Sequence, residues 1–294
     1  MIFAIKPFEI HDGDGIRTTL FFKGCPLRCK WCHNPESITA KREMLYDPKL
    51  CRGCMRCTSL CDANVISNDG RHIFERERCS LCEKCKEVGP GGCFEISGEE
   101  KSAEELRDEL LRDEIFMKGS GGGVTFSGGE PLLQSELCVD IAKQLKERGI
   151  NIAIDTCGMV SKAALDSIRP YTDSFLYDLK AIDEQVHIAC TGVSNKQILE
   201  NLEYVDSFGI PIEIRYPFVP GMNDGEAEKI ARFVKKLTNV TSLKILPYHN
   251  YADRKYLRLG IPYPLPDTPV PTREDIESAA ELMRSAGLES VVTY

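Results

Sequence analysis

The sequence predicts an α/β fold of six strand–helix units, interrupted once by a small metal-held insert. Three observations carry this. Short β-branched or apolar runs alternate with amphipathic helical stretches from Val124 to the end of the chain. One further strand, Ile16 to Phe22, precedes a cysteine loop. Between about Tyr46 and Ile96 apolar periodicity fades and eight of the 14 cysteines appear. Alternation of this kind implies parallel pairing with right-handed crossovers. A closed eight-unit barrel would need two more strands, and an open doubly wound sheet is the other architecture the count allows.

Taken in order, Ile16–Phe22 is the first strand. Ser102 is an N-cap followed by Glu104 and Glu105, opening a helix to Met117. Val124–Phe126 is a strand, Ser135–Arg148 a helix ended by Gly149, and Asn151–Asp155 a strand. Lys162–Ile168 is a short helix stopped before Pro170, and Ser174–Leu179 a strand with helical stretches through Phe208. Ile212–Tyr216 is a strand, Glu226–Leu237 a helix and Ser242–Leu246 a strand. Tyr248–Thr268, rich in proline and tyrosine, reads as a surface loop. A helix over Thr272–Ser285 and a last strand at Ser290–Thr293 complete the chain.

The densest chemistry lies in Gly24-Cys25-Pro26-Leu27-Arg28-Cys29-Lys30-Trp31-Cys32-His33-Asn34. Three thiolates on a tight loop can converge on one soft metal centre. A four-iron cluster held by three cysteines leaves one iron open to chemistry. Lys23, Arg28 and Lys30 supply positive charge that favours thiolates. A structural zinc loop and a set of buried free thiols are the competing readings, although no second cysteine pair completes a zinc site here.

Polar residues gather at strand ends, where a barrel carries its active site. After the second strand of the sheet come Gly128, Gly129 and Glu130: the glycines permit close backbone approach, and the carboxylate can receive an ammonium group. Gly119–Gly123 lacks the Lys-Ser/Thr of a phosphate loop. Asp155 and Thr156 follow the third strand. Asp178-Leu179-Lys180 follows the fourth, its two charges sharing one face; an ion pair between them is the alternative to a ligand contact. Arg215 ends the fifth strand and His249 the sixth. Cys138, Cys157 and Cys190 read as packing residues.

A formal net charge of −8 argues against a general nucleic-acid binder. Met1–Pro7 shows no secretory leader, and no apolar run approaches the roughly 18 residues of a membrane span. Cysteines in C-x2-C clusters therefore read as metal sites in a reducing, cytoplasmic and anaerobic setting rather than as disulfides.

Within the insert, Cys51, Cys54, Cys57 and Cys61 approach the bacterial ferredoxin run, in which the fourth cysteine ligates the other cluster. Cys61 then completes a set with Cys79, Cys82 and Cys85. The partner set expects a cysteine at position 89, where Gly89 stands, and Cys93 is the available substitute. A three-iron cluster, a non-cysteine ligand or two zinc sites are the alternatives.

The C-x3-C-x-aromatic-C loop with Trp31 resembles the signature of radical S-adenosylmethionine (SAM) enzymes. Asp12-Gly13 through Gly15-Ile16-Arg17 before it, and Cys32-His33-Asn34-Pro35 after it, resemble the activating enzymes of glycyl radical enzymes. The resemblance implies a partial (β/α)6 TIM-like barrel from residues 1–45 and 98–294, with residues 46–97 as an inserted ferredoxin-like iron–sulfur domain. It implies a 4Fe–4S cluster with an open iron on Cys25, Cys29 and Cys32, and two further 4Fe–4S clusters in the insert. It assigns Trp31, Cys32, His33, Asn34, Gly128, Gly129, Glu130, Asp155, Thr156, Asp178, Leu179, Lys180, Arg215 and His249 to the SAM pocket, with a monovalent cation near Asp155 and Thr156. Asp12 and Lys180 join the cysteines as catalytic residues, Asp12 facing the glycine loop of the partner protein and His11 beside it. Asp14 departs from the proline of most relatives. The implied activity is reductive cleavage of SAM and hydrogen abstraction from a backbone glycine of that partner, with a flavodoxin- or ferredoxin-type electron donor. A radical SAM enzyme acting on a small molecule, and an iron–sulfur electron carrier, are the rival functions.

Overall fold

Alternate residues of the parallel strands divide between an apolar and a polar environment, and that division builds the fold. The structure, a computed structural model, describes residues 1–293. The chain runs β1 (Ile2–Glu9), β2 (Arg17–Phe22), β3 (Glu43–Tyr46), β4 (Asn64–Ile66), β5 (His72–Phe74), α1 (Lys84–Val88), β6 (Phe94–Ser97), α2 (Ala103–Leu110) and α3 (Glu114–Ser120). It continues β7 (Gly123–Gly128), α4 (Ser135–Glu147), β8 (Asn151–Thr156), α5 (Lys162–Ile168), β9 (Ser174–Asp178), α6 (Glu184–Thr191) and α7 (Lys196–Asp206). It ends β10 (Ile212–Phe218), α8 (Ala227–Val234), β11 (Val240–Pro247), α9 (Asp253–Leu259), α10 (Arg273–Ser285) and β12 (Val291–Val292).

One sheet has the order β1-β2-β7-β8-β9-β10-β11-β12. Only β1 is antiparallel to its neighbour. Successive parallel strands always step the same way, so right-handed crossovers place their helices on one face. A doubly wound sheet reverses its order midway; this one does not, and it is consistent with a partial barrel.

The helix-facing side carries Leu20, Phe22, Phe126, Ile154, Phe175, Ile214 and Ile245, all buried in the main core. The helices answer with residues at three- and four-residue spacing, such as Ile141, Ala142 and Leu145 of α4 and Ile276, Ala279, Ala280 and Met283 of α10. The opposite face carries Arg17, Thr19, Thr125, Ser127, Asp155, Asp178, Glu213 and Arg215, and there the site forms.

Several sequence expectations need correction. Ile2–Glu9, given no strand above, is the antiparallel edge strand; Pro7 is tolerated there because an edge strand leaves N–H groups unpaired. The helix expected from Ser102 to Met117 is broken by a 3-10 turn at Leu111–Asp113. Leu110 and Met117, seven residues apart, are both buried, while Asp113 and Glu114 at the turn between them stay only partly covered. Tyr248–Thr268 is not a surface loop. It contains α9, and Tyr248 and Leu265 pack on Trp31 in a separate apolar cluster.

In the cysteine-rich segment β3 pairs antiparallel with β6 and β4 with β5. Met44, Tyr46, Phe94, Cys57, Cys85 and Cys93 form its own buried cluster. Half of those six are thiols, little for a core to rest on without metal.

Candidate functional site

A cavity of about 320 Å³ opens on the polar face of the sheet, and Cys25, Cys29 and Cys32 line it together. Asp12, Trp31, His33, Asn34, Gly128, Gly129, Asp155, Asp178, Lys180 and Arg215 line it as well. The 24–34 stretch has neither helix nor strand, so contacts from elsewhere hold it. Gly24 N–H donates to Ser37 O at 2.7 Å, and Glu130 N–H to Gly24 O at 2.7 Å.

The glycine pair serves that contact. A Cβ on Gly129 would lie 2.2 Å from Gly24 O, and one on Gly128 (φ +112°) 2.4 Å from Phe22 N. The close approach these glycines permit is therefore that of the end of β2 at Gly128 and of the cysteine loop's own backbone at Gly129, while both still line the cavity. Glu130 does not line it. It is fully buried, accepting from Thr156 Oγ1 and Cys157 N–H at 2.8 Å each, and from Leu132 N–H at 3.2 Å. Burial raises its pKa above the usual carboxylate range. Thr156 is likewise occupied inside the turn, where Gly158 N–H donates to its Oγ1 at 3.0 Å. Leu179 is buried, its N–H on Arg215 O at 2.9 Å.

Lys180 Nζ donates to Asp178 Oδ2 at 2.6 Å, so the two charges pair while facing the cavity. Burial alone would lower the Lys180 pKa; Asp178 and the thiols of Cys29 and Cys157 outweigh it and raise the pKa. Lys180, not Lys23, is the cation beside the thiols. Lys23 is turned away and buried, donating to Glu36 O, Glu43 and Ser97, while Arg28 folds back onto the carbonyls of Cys25 and Leu27. Arg28 and Lys30 are exposed.

A second charged group links the N-terminal loop to the sheet. Arg215 Nη1 stands 3.4 Å from Asp12 Oδ1 and 3.6 Å from Asp155 Oδ1, and Nη2 donates to His11 O at 2.6 Å. Asp12 also accepts from Thr19 Oγ1 at 2.8 Å, and Asp155 from Ser127 Oγ at 2.6 Å. Burial pushes Asp155 up to about 7 against the pull of Arg215, with Asp178 and Asp12 adding.

His33 and His249 stack at 4.0 Å with 17° between their planes, and His33 faces the cavity while His249 sits behind it. Burial lowers both, His33 to about 4. Among the described residues His249 Nδ1 is buried with no hydrogen-bond partner.

Several contributors escaped sequence reasoning. Cys157, taken as packing, touches the Cys25 thiol and lowers the Cys25 pKa. Ser127 is marked only by its place just before the glycine pair. Asn223 Nδ2 holds Lys180 O at 2.8 Å, Lys255 Nζ reaches Asn34 Oδ1 at 2.7 Å, and Tyr256 O–H donates to Cys32 O at 3.2 Å. These come from distant segments and left no local signal.

Burial pushes Cys32 up to about 12 and Cys29 higher still. Thiols so placed stay protonated unless a metal displaces the proton. No three Cys, His, Asp or Glu side chains among the described residues converge as the ligands of a single ion do. A soft cluster with several irons fits this donor set, since each thiolate binds a different iron.

In the insert, the buried Cys93 thiol contacts that of Cys51 and lies beside Cys57; burial first, then these neighbours, push it up to about 12. Cys82 contacts Cys61, and Cys85 lies near Cys61, Cys79 and Cys82. His72, assigned no role above, places Nδ1 2.8 Å from Tyr46 Oη and 3.8 Å from Cys51 Sγ.

The family model for the radical SAM superfamily matches residues 19–234. The choline trimethylamine-lyase activating enzyme of Oleidesulfovibrio alaskensis is 38% identical, over 97% of this chain and 94% of that relative. The trans-4-hydroxy-L-proline dehydratase activating enzyme of Clostridioides difficile is 36% identical, over 99% of this chain and 98% of its own. Among solved structures, a domain of the pyruvate-formate lyase-activating enzyme from Bacteroides vulgatus aligns with TM-score 0.50 and 30% identity, covering 59% of this chain and all but 1% of that one.

Proposed function

From the premise that this chain belongs to the radical SAM superfamily, and within it to the activating enzymes of glycyl radical enzymes, we propose how its residues divide the work. The chain is an oxidoreductase that uses SAM radical chemistry to generate a glycyl radical on a partner enzyme. The family cofactors are a 4Fe–4S cluster and SAM, which, bound together and given one electron by a donor protein, would supply methionine and a 5′-deoxyadenosyl radical able to take a hydrogen atom from glycine.

Cys25, Cys29 and Cys32 hold the cluster, and the single observation that carries this is their sharing one cavity with Asp155, Asp178, Lys180 and Arg215. Lys180 balances negative charge beside the thiolates. Gly128 and Gly129 fix the loop at the depth where SAM sits, with Glu130 and Thr156 locking that turn from behind and Leu179 carrying Lys180. Asp155 and Asp178 offer carboxylates to the cationic end of SAM or to a monovalent cation. His33, backed by His249, offers a flat face beside Trp31 and Asn34. Asp12, anchored by Thr19 and Arg215, presents its carboxylate to the partner's glycine segment. No proton transfer by a side chain is required.

Residues 46–97 form a ferredoxin-like insert whose two 4Fe–4S clusters sit on Cys51, Cys54, Cys57 and Cys93, and on Cys61, Cys79, Cys82 and Cys85. The contacts of Cys93 with Cys51 and of Cys82 with Cys61 support that division. A flavodoxin- or ferredoxin-type protein is the electron donor.

The test is anaerobic: the reconstituted, reduced protein is mixed with SAM and with candidate glycyl radical enzymes. The expected result is 5′-deoxyadenosine together with a glycyl radical signal on the matched partner by electron paramagnetic resonance. Turnover of SAM on a small molecule, with no partner giving a radical, would overturn the reading.

A further inference from the structure

We propose that α9 is a brace through which the cysteine-rich insert sets the geometry of the site loop, with Arg254, Lys255 and Tyr256 as positioning residues; this rests on the reading that the Cys25–Asn34 loop binds cluster and SAM. Three consecutive helix residues reach two different bodies. Arg254 Nε and Nη2 donate to Asp47 Oδ2 at 2.8 and 2.7 Å. The Asp47 side chain is 1% exposed, its N–H donates to Cys93 O at 2.8 Å, and the Cys93 thiol faces Asp47 O at 3.7 Å. Lys255 Nζ binds Asn34 Oδ1 and Glu36 Oε1 at 2.7 Å each, and Tyr256 O–H binds Cys32 O. A continuous chain of contacts thus joins Cys93 of the insert to Cys32 of the site.

Consecutive helix residues project about 100° apart, so all three contacts are met only with the helix seated between insert and loop. One turn on, Arg258 reaches Glu95 at 2.5 Å and its carbonyl accepts from Arg76, tying the helix to the insert a second time. The loop has no ladder of its own, so Cys32 O and Asn34 are placed by what touches them. Loosening Asp47 by emptying the Cys51, Cys57 and Cys93 set is then felt at residues 32–36, and by linkage SAM binding there steadies the insert.

The test uses the full-length, anaerobically reconstituted protein, with amide hydrogen exchange of the peptide spanning 32–37 and the SAM concentration dependence of 5′-deoxyadenosine formation as readouts. Lys255→Met is expected to speed exchange at 32–37 about tenfold, the loss of a hydrogen bond to a charge, and to raise KM for SAM more than it lowers kcat; Lys255→Arg restores both. Arg254→Gln and Cys93→Ser are expected to give the same loss of protection at 32–37, though neither residue touches that loop. Arg254 is half exposed, so its substitution leaves the chain able to fold, and Asp47→Asn serves as the second variant. If Arg254→Gln and Asp47→Asn both leave 32–37 as protected as in the unmodified protein, the brace is overturned while the activity stands. Failure of the unmodified protein to cleave SAM would instead sink the proposed function, and the exchange result would still decide the brace.

Discussion

The Arg215 guanidinium stands 3.6 Å from the Asp155 carboxylate, and the same nitrogen lies 3.4 Å from Asp12. One cation therefore ties the N-terminal loop to a strand end, on the face where Asp12, Asp155, Asp178 and Glu213 gather.

Removing that cation, itself buried, leaves the partly buried carboxylates of Asp12 and Asp155 without their counter-charge. Arg215→Met is expected to destabilise the fold by about 3–5 kcal/mol, the usual penalty for breaking a buried ion pair on one side. Denaturant unfolding of the reconstituted protein measures it. A loss below about 1 kcal/mol would mean that solvent reaches the cluster of acids.

Asp155 carries the pH dependence. Its folded pKa of about 7 lies above the unfolded value near 3.9, so between about pH 4 and 7 the folded state holds the extra proton. Stability therefore falls as pH rises through that window and levels off above it. Asp155→Asn is expected to flatten this slope, so that the variant gains on the unmodified protein between pH 5 and pH 8. Parallel slopes in urea midpoints would show that Asp155 ionises freely.

Gly129→Ala tests the seat of the cysteine loop. Its Cβ would meet Gly24 O at 2.2 Å, so the loop must shift, with about 1–3 kcal/mol lost and SAM affinity falling with it. Thermal melts and SAM binding are the measurements; an unchanged affinity would place the loop's support elsewhere.

In the insert, Cys93→Ser is expected to lower bound iron by up to about four atoms, one cluster's worth, whereas Cys138→Ser, whose buried thiol lies on Pro131 O in the main core, retains full iron. Iron analysis with electron paramagnetic resonance reads the difference. Full iron retention by Cys93→Ser would point to another fourth ligand, with His72, 3.8 Å from Cys51 Sγ, a candidate.

The parallel strands were legible because each is a short run of core and interior residues, and the three cysteines were legible because their spacing is local. The hydrogen-bond partners of Glu130 and Lys23 were not. Each is a charged residue at a strand end, where a ligand and an internal partner look the same in sequence; the turn at Thr156 and Cys157 captured one, and Glu36, Glu43 and Ser97 the other.

By itself the chain's order of residues determined the alternation of strands and helices, the family and the close spacing of the three site cysteines, since these rest on patterns within a few residues; it left open whether the sheet is singly or doubly wound, which the strand order decided. Tertiary structure alone decided that Lys180 stands beside the thiols, that Cys157 touches Cys25, and that α9 joins Asp47 to Asn34. Such contacts join positions more than a hundred residues apart, and only the packed sheet and its loops bring them within hydrogen-bonding distance.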